Sequence, residues 1–145
     1  MDVRRVSGGA AAAAGTWDEH ATRYAGQERL EARAIEAALR LADPRPQDWV
    51  VDLATGTGVV LRALAARDPR PAKVTGVDRS AGMLAQVGQL PDEWGVIRGD
   101  ARCVPLPDGA ANVVTCCCTS LAWTIGAVCC VRRAVCSAVR RAHGW

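Results

Sequence analysis

The feature that most constrains the fold is a buried apolar run that leads directly into a glycine turn. Residues 50–58 read Val-Val-Asp-Leu-Ala-Thr-Gly-Thr-Gly, and apolar residues at helical spacing follow over residues 59–66. Glycine at positions 56 and 58 permits positive φ and lets a ligand lie against bare backbone. A strand that turns this tightly into a helix is typical of a ligand site at the carboxyl edge of a sheet. The same turn also occurs where no ligand binds.

Strands and helices alternate along the chain. The helix candidates are a leading helix capped by Thr16, then Glu28 to Leu41, Val59 to Ala66, and Ser80 to Val87 with Ser80 as its cap. The strand candidates are Trp49 to Leu53, Lys73 to Val77, Glu93 to Arg98 and Ala111 to Cys116. This alternation predicts an α/β fold, a Rossmann-like doubly wound parallel sheet.

Two further acidic residues follow strands of the predicted sheet. Asp78 ends the second strand, twenty positions after Gly58, where a carboxylate can accept both hydroxyls of an adenosine ribose. Asp100 follows the third strand and can accept from an adenine amino group, while the amide of Ala101 meets a ring nitrogen. Taken alone, Asp78 is equally explained as an acid that leads a helix, and Asp100 as a turn aspartate.

Together these segments resemble the class I S-adenosylmethionine-dependent methyltransferase family, from about Trp17 to Thr115. Residues 52–58 are similar to its acidic glycine loop, residues 76–84 to its ribose-binding turn, and residues 99–101 with 106–108 to its adenine-side loop. Residues 17–25 are similar to the leading helix that members fold over the cofactor. The nearest branch is the small-molecule methyltransferases that include the quinone C-methyltransferases.

The resemblance implies S-adenosylmethionine as the cofactor and a seven-stranded sheet, of which this sequence supplies the first four strands. It also implies the following cofactor-binding residues: Tyr24, Asp52, Ala54, Gly56, Gly58, Asp78, Arg79, Met83, Asp100 and Ala101.

Three functions are compatible with such a domain. The first is methyl transfer to a small-molecule acceptor, and the second is a non-catalytic remnant that only binds S-adenosylmethionine. An NAD-binding domain fits less well, because residue 61 is leucine where the dinucleotide pattern GxGxxG has its third glycine. Asp52 also adds negative charge at the strand end, which suits a cationic sulfonium and an α-amino group better than a pyrophosphate.

No catalytic residue is predicted. His20 and Asp18 lie on the polar face of the leading helix, where we expect changes to do little. Cys103 is expected to be a small core residue, since nothing around it in sequence would lower its pKa. Trp49 and Trp94 are expected to be core or rim aromatics.

Length and composition exclude several classes of protein. The 145 residues suit one domain, predicted over residues 16–115 after a flexible leader at residues 1–15. The net charge is only +3, so no nucleic-acid partner is indicated. No apolar run is long enough for a bilayer, and no secretory signal is present, which predicts a cytoplasmic protein with reduced thiols. The sequence contains no CxxC pair of the kind that chelates a metal, so no metal site is predicted. The oligomeric state is not predicted.

The tail over residues 116–145 differs in composition from the rest of the chain. All 15 acidic residues precede it, whereas it holds six of the seven cysteines, together with His143, which we expect to be uninvolved. When a Cys-Cys pair is read one base earlier, the codon that spans the two cysteines always encodes leucine. In the same shifted frame, the codon that spans Trp123 and Thr124 encodes aspartate. The shifted tail then resembles an amphipathic helix, so we predict a reading-frame shift that leaves the chain inactive. The alternative is a genuine buried helix rich in cysteine.

Overall fold

A computed structural model of the chain describes residues 17–21, 28–101, 103–107, 109–117 and 131–132. Its strands form one sheet: β1 (Trp49–Leu53), β2 (Lys73–Asp78), β3 (Gly95–Arg98), β4 (Val113–Thr115) and β5 (Val131–Arg132). The order across the sheet is β3-β2-β1-β4-β5. The first four strands are parallel, and β5 pairs antiparallel with β4. The predicted α/β, Rossmann-like parallel sheet is therefore confirmed.

The helices of the described part are residues 17–21 (α1), α2 (Glu28–Ala42), α3 (Val59–Ala65) and α4 (Ala81–Leu84). In α2 the residues Ile35, Ala38 and Leu39 recur at helical spacing and are all buried. This apolar stripe packs against α3 and the sheet. Within these segments no helix is long and apolar enough to cross a membrane.

The strand order identifies the edge of the sheet where folds of this kind bind ligands. Val50 of β1 pairs with Val74 of β2 on one side and with Val113 of β4 on the other, and all three side chains are fully buried. The chain leaves β1 to build β2 and β3, and then returns across the sheet to add β4. Such a reversal opens a crevice beyond the carboxyl ends of the two diverging strands, here β1 and β4.

The core has two layers, one on each face of the sheet. The larger layer joins the helices to the sheet and consists of Ile35, Leu39, Ala42, Val50, Val60, Leu61, Leu64, Val74, Val87, Trp94 and Val113. The smaller layer, around Val51 and Val77, is covered by Val104 and Leu106 from the loop after β3. Each fully buried valine or leucine contributes about 1.5–3 kcal/mol relative to an exposed one. The helix-covered face therefore supplies most of the apolar stabilisation.

Most elements match the sequence prediction to within two residues at each end, and two differ by more. The helix expected over Ser80 to Val87 ends at Leu84, because the amides of Gln86 and Val87 bond to carbonyls three residues back and Val87 turns into the core. The strand β5, in the tail, was not predicted, and it pairs with the edge of β4. The leader, the Thr16 cap and most of the tail lie outside the described residues, so the predicted domain boundaries stay a prediction.

Candidate functional site

The glycine turn after β1 alternates between left-handed and other backbone conformations. Ala54, Gly56 and Gly58 have φ values of 54°, 56° and 81°. The amide of Gly58 donates to the carbonyl of Thr55 at 2.9 Å, which closes the turn just before α3. A left-handed conformation costs a residue with a side chain about 1–2 kcal/mol, so glycine is favoured at two of these positions while Ala54 is strained.

The two glycines of the turn face different surroundings. A Cβ atom added at Gly56 would meet no atom within 4 Å, so this part of the backbone borders open space. A Cβ atom added at Gly58 would lie 2.9 Å from Cγ1 of Val87, in the core. We expected both glycines to present bare backbone to a ligand. Only Gly56 has space for a ligand where a side chain would be. At position 58 glycine is required because a Cβ atom would collide with Val87.

The carboxylate of Asp78 joins the second strand to the glycine turn. Its Oδ2 accepts from the amide of Gly56 at 2.8 Å, and its Oδ1 accepts from the amide of Ser80 at 2.9 Å. Asp78 is half-buried at the end of β2, where the sequence placed it. Both carboxylate oxygens keep a second lone pair, so the group retains the capacity to accept from a diol.

Asp52 lies beneath the turn rather than at its surface. Its side chain is 1 % exposed, and its Oδ1 accepts from the hydroxyl of Thr115 on β4 at 2.6 Å. Burial raises the pKa of Asp52 to about 6, the Thr115 hydrogen bond opposes that rise, and the nearby charge of Asp78 adds to it. Near neutral pH, Asp52 therefore places a largely ionised carboxylate behind the glycine turn without exposing it.

The loop after β3 closes the other side of this edge. The amide of Gly99 donates to the carbonyl of Asp78 at 2.8 Å, so the loop begins beside the acidic end of β2. Asp100 and Ala101 follow and are half-buried, and Ala101 packs against the smaller core layer. The amide of Cys103 donates to the carbonyl of Asp100 at 2.9 Å. Asp100 is thus brought to the same edge of the sheet as Asp78.

Three other predicted site residues are Met83, Arg79 and Tyr24. Met83 is buried at 3 % exposure, so its side chain belongs to the interior of the β2–α4 region. Arg79 is half-buried, and its carbonyl accepts from Nε of Arg98 at 3.0 Å. Tyr24 lies outside the described residues. Among those residues, no group of three or more His, Cys, Asp or Glu side chains is placed to hold a metal ion.

One expectation about an individual side chain is wrong, and a second residue makes contacts that the sequence did not indicate. Cys103 is exposed rather than buried in the core, because the loop after β3 turns back on itself at this point. Asp18 does not face only solvent: its Oδ1 accepts from the hydroxyl of Ser80 and from the amide of Gly82, the latter at 2.7 Å. No sequence signal links Asp18 to residues more than 60 positions away, since helical spacing describes only its own helix.

The tryptophans behave as predicted. Trp94 is buried, and its Nε1 donates to the carbonyl of Pro71 at 3.3 Å. Trp49 is half-buried at the start of β1, with its Nε1 donating to Oγ1 of Thr75 at 3.0 Å and the ammonium of Lys73 lying 3.7 Å from its ring centroid. Both rings are therefore packing aromatics, and neither lies at the carboxyl edge.

Comparison with known proteins adds a family match and similar sequences. The methyltransferase-domain family matches residues 50–140, which begins in β1 and continues into the tail. A demethylmenaquinone methyltransferase of Thermus thermophilus is 37% identical over 91 residues, covering 60% of this chain and 39% of the relative. The chain spans between 30% and 43% of the length of the curated relatives it matches.

Solved structures show the same architecture. A chain from the complex between the Haloferax volcanii Trm112 methyltransferase activator and a methyltransferase has a TM-score of 0.62 and 28% identity, and the alignment covers 79% of this chain and 48% of that one. The geranyl diphosphate C-methyltransferase of Streptomyces coelicolor, solved with S-adenosyl-L-homocysteine, has a TM-score of 0.52 and 21% identity over 61% of this chain and 35% of that one. At this identity the second likeness shows the fold alone.

Proposed function

Because the chain belongs to the methyltransferase-domain family, we propose that it binds S-adenosylmethionine at the carboxyl edge of β1 and β2 and serves methyl transfer to a small-molecule acceptor. S-adenosylmethionine is the cofactor that the sequence predicted and that this family supports. The observation that carries the proposal is Asp78, whose carboxylate ties the glycine turn to the β2–α4 turn. The same carboxylate retains acceptor capacity, and Gly56, whose amide donates to it, has open space where a side chain would be.

The residues at this edge fit the parts of the cofactor in turn. Asp78 would accept from the two ribose hydroxyls, because a carboxylate is an acceptor for paired donors. Gly56, with no side chain and open space above it, would let the cofactor lie against the backbone. Asp100 and the amide of Ala101 would meet the adenine ring, since their loop starts with a hydrogen bond to the carbonyl of Asp78.

The buried charge of Asp52 favours a cationic ligand over an anionic one. An ionised carboxylate beneath the glycine turn attracts a sulfonium and an α-amino group across a region of low dielectric. The same charge would repel the pyrophosphate of a dinucleotide, which prefers glycine and a positive helix end. The electrostatics of the turn therefore support S-adenosylmethionine and argue against NAD.

The chemistry supplied by the bound cofactor is an electrophilic methyl group on a positively charged sulfur. The protein contributes orientation and exclusion of water, which account for much of the rate in such transfers. Among the described residues none is assigned as a general base. The relative from Thermus thermophilus is named for demethylmenaquinone, and a small apolar acceptor of that kind is the class that we propose for this chain.

A second candidate is a domain that binds the cofactor without completing the reaction. The observation that favours it is the composition of residues 116–145, which hold six of the seven cysteines and no acidic residue. A frame shift after Thr115 would produce the same outcome, because the residues that follow β4 would differ from those of an active member. Cofactor binding without methyl transfer to any small apolar acceptor would distinguish this candidate from the first.

Calorimetry with the full chain tests the proposal. We expect S-adenosylmethionine and S-adenosylhomocysteine to bind and NAD to bind more weakly. Asp78→Ala should weaken cofactor binding by about 1.5–3 kcal/mol, the range for hydrogen bonds to a charged group. Asp92→Ala, an exposed acid of the loop before β3, is the matched control and should bind as the wild type does. Equal losses in the two variants, or tighter binding of NAD, would overturn the assignment.

A further inference from the structure

One side chain of the first helix bonds to the segment that follows β2. Asp18, on α1, accepts from the hydroxyl of Ser80 and from the amide of Gly82. Both donors lie in residues 79–82, the β2–α4 turn together with the first two residues of α4. The separation in sequence is 62 and 64 residues, so this contact is made only in the folded chain. These two hydrogen bonds lower the pKa of Asp18, and the charge of Arg98 on β3 acts in the same direction.

The turn is shaped to receive α1. A Cβ atom added at Gly82 would lie 2.9 Å from Cα of Asp18 and 3.0 Å from its Oδ1. A Cβ atom in a protein does not approach a backbone carbon as closely as 2.9 Å, so any larger residue at position 82 would push the helix away. Gly82 is not among the glycines whose φ is left-handed. Its requirement for glycine is therefore the close approach of Asp18 rather than its own backbone conformation.

Ser80 connects Asp18 to the proposed ribose carboxylate. Its side chain is 1 % exposed, its hydroxyl donates to Asp18 and accepts from the amide of Met83, and its amide donates to Oδ1 of Asp78. A hydroxyl has one proton to donate, so the bond to Asp18 sets the direction in which the hydroxyl points. One buried residue thus bonds to both carboxylates, one through its side chain and one through its backbone.

We propose that Asp18 is a positioning residue that clamps α1 onto the β2–α4 turn and, through Ser80, holds Asp78 in the orientation that receives the cofactor. This inference rests on the proposed cofactor site. Binding free energies are reciprocal, so a cofactor that stabilises the Asp78 turn also strengthens the docking of α1. Asp18 itself does not touch the cofactor in this scheme.

The test compares two variants that break the clamp from opposite sides. Asp18→Ala removes the acceptor, and Gly82→Ala inserts a methyl group against Asp18 without changing that residue. Asp18→Asn keeps an acceptor oxygen and should restore part of the effect. Glu19→Ala, an exposed acid adjacent on the same helix, is the matched control. The double variant Asp18→Ala/Gly82→Ala should be no worse than the more affected single variant, since both changes break the same contact.

Two measurements on the full chain decide the outcome. The Gly82 amide should exchange with solvent about tenfold faster in Asp18→Ala than in the wild type, because its acceptor is gone. Affinity for S-adenosylhomocysteine should fall about tenfold in Asp18→Ala and Gly82→Ala, with the urea midpoint of unfolding little changed. Asp18→Asn should lie between, and Glu19→Ala should match the wild type in both measurements.

The two measurements separate the possible failures. Unchanged exchange at Gly82 in Asp18→Ala would show that α1 is not clamped. Faster exchange with unchanged affinity would show a clamp that does not position Asp78, which also overturns the proposal. If the wild type binds neither S-adenosylmethionine nor S-adenosylhomocysteine, the proposed function fails and the positioning role fails with it. The exchange of Gly82 would then report only whether α1 is docked.

Discussion

Replacing Asp52 by asparagine should stabilise the protein and at the same time lower its affinity for S-adenosylmethionine. Burial raises the pKa of Asp52 from 3.8 to about 6, so the folded chain binds this proton more tightly than the unfolded chain does. The stabilising effect of that proton is fully present below about pH 4. It is lost as the pH rises through about 6, and above that value the fold carries a buried charge.

The size of the effect follows from the shift. A difference of about two pKa units, at about 1.4 kcal/mol for each unit, corresponds to about 3 kcal/mol. Asparagine has the same shape and still offers Oδ1 to the hydroxyl of Thr115, so the native hydrogen bond survives the change. At pH 8, Asp52→Asn should therefore be more stable than the wild type by up to about 3 kcal/mol. The advantage should disappear near pH 4.

Urea unfolding followed by tryptophan fluorescence measures this difference across the pH range. Other carboxyl groups titrate in the same window, so the informative quantity is the difference between the two proteins at each pH. Asp92→Asn, which removes an exposed carboxylate, controls for the change in net charge. A stability difference that does not vary between pH 4 and pH 8 would refute the reasoning, and so would a variant less stable than the wild type at pH 8.

The same variant separates the two roles of the charge. Asp52→Asn should weaken binding of S-adenosylmethionine about tenfold, because the sulfonium loses an attractive carboxylate in a region of low dielectric. Binding of S-adenosylhomocysteine should weaken less, since its sulfur is neutral. A gain in stability together with a loss in affinity is the behaviour of a residue retained for binding. Equal losses for the two ligands would show that Asp52 does not act on the sulfonium.

The remaining predictions concern the glycine turn and the tail. Gly56→Ala should cost about 1–2 kcal/mol of stability from its left-handed φ and should reduce cofactor affinity, because the added methyl group enters the open space. Gly58→Ala should cost about 1–3 kcal/mol more in stability than Gly56→Ala, because its methyl group collides with Val87, and it should affect affinity less. Thermal unfolding of both variants checks the ranking in stability, and calorimetry checks the ranking in affinity. For the tail, the nucleotide sequence should show one base missing just upstream of the Cys117 codon, and the restored frame should add methyltransferase activity. An intact frame whose codons encode no such helix one base earlier would disprove the frame shift.

The sheet and its carboxyl edge were predictable because their signals are local. Short segments rich in β-branched or aromatic residues at 49–53 and 73–77 indicate strands, and the glycines at 56 and 58 mark a turn that other residues enter only with strain. Asp78 follows its strand directly, so its place at the edge follows from the parallel order of β1 and β2. These conclusions needed only the spacing of residues along the chain.

Other features depended on contacts that spacing does not encode. The helix after Ser80 stops at Leu84 because Val87 is drawn into the core beside Gly58. Cys103 is exposed because its loop folds back to Asp100, and the strand β5 exists only through its pairing with β4. In these cases the residues near in sequence indicated a different local structure, and contacts with a distant segment or within the folded loop decided the outcome.

The sequence by itself determined the fold class, the position of the glycine turn and the place of Asp78 at the end of its strand, since each depends on neighbours within about one element. The tertiary structure decided how those groups act. It buried Asp52 against Thr115, turned Gly56 toward open space and Gly58 toward Val87, and brought Asp18 to Ser80. The physical reason is that burial, electrostatics and close approach depend on distances between residues far apart in the chain, and only the folded chain sets those distances.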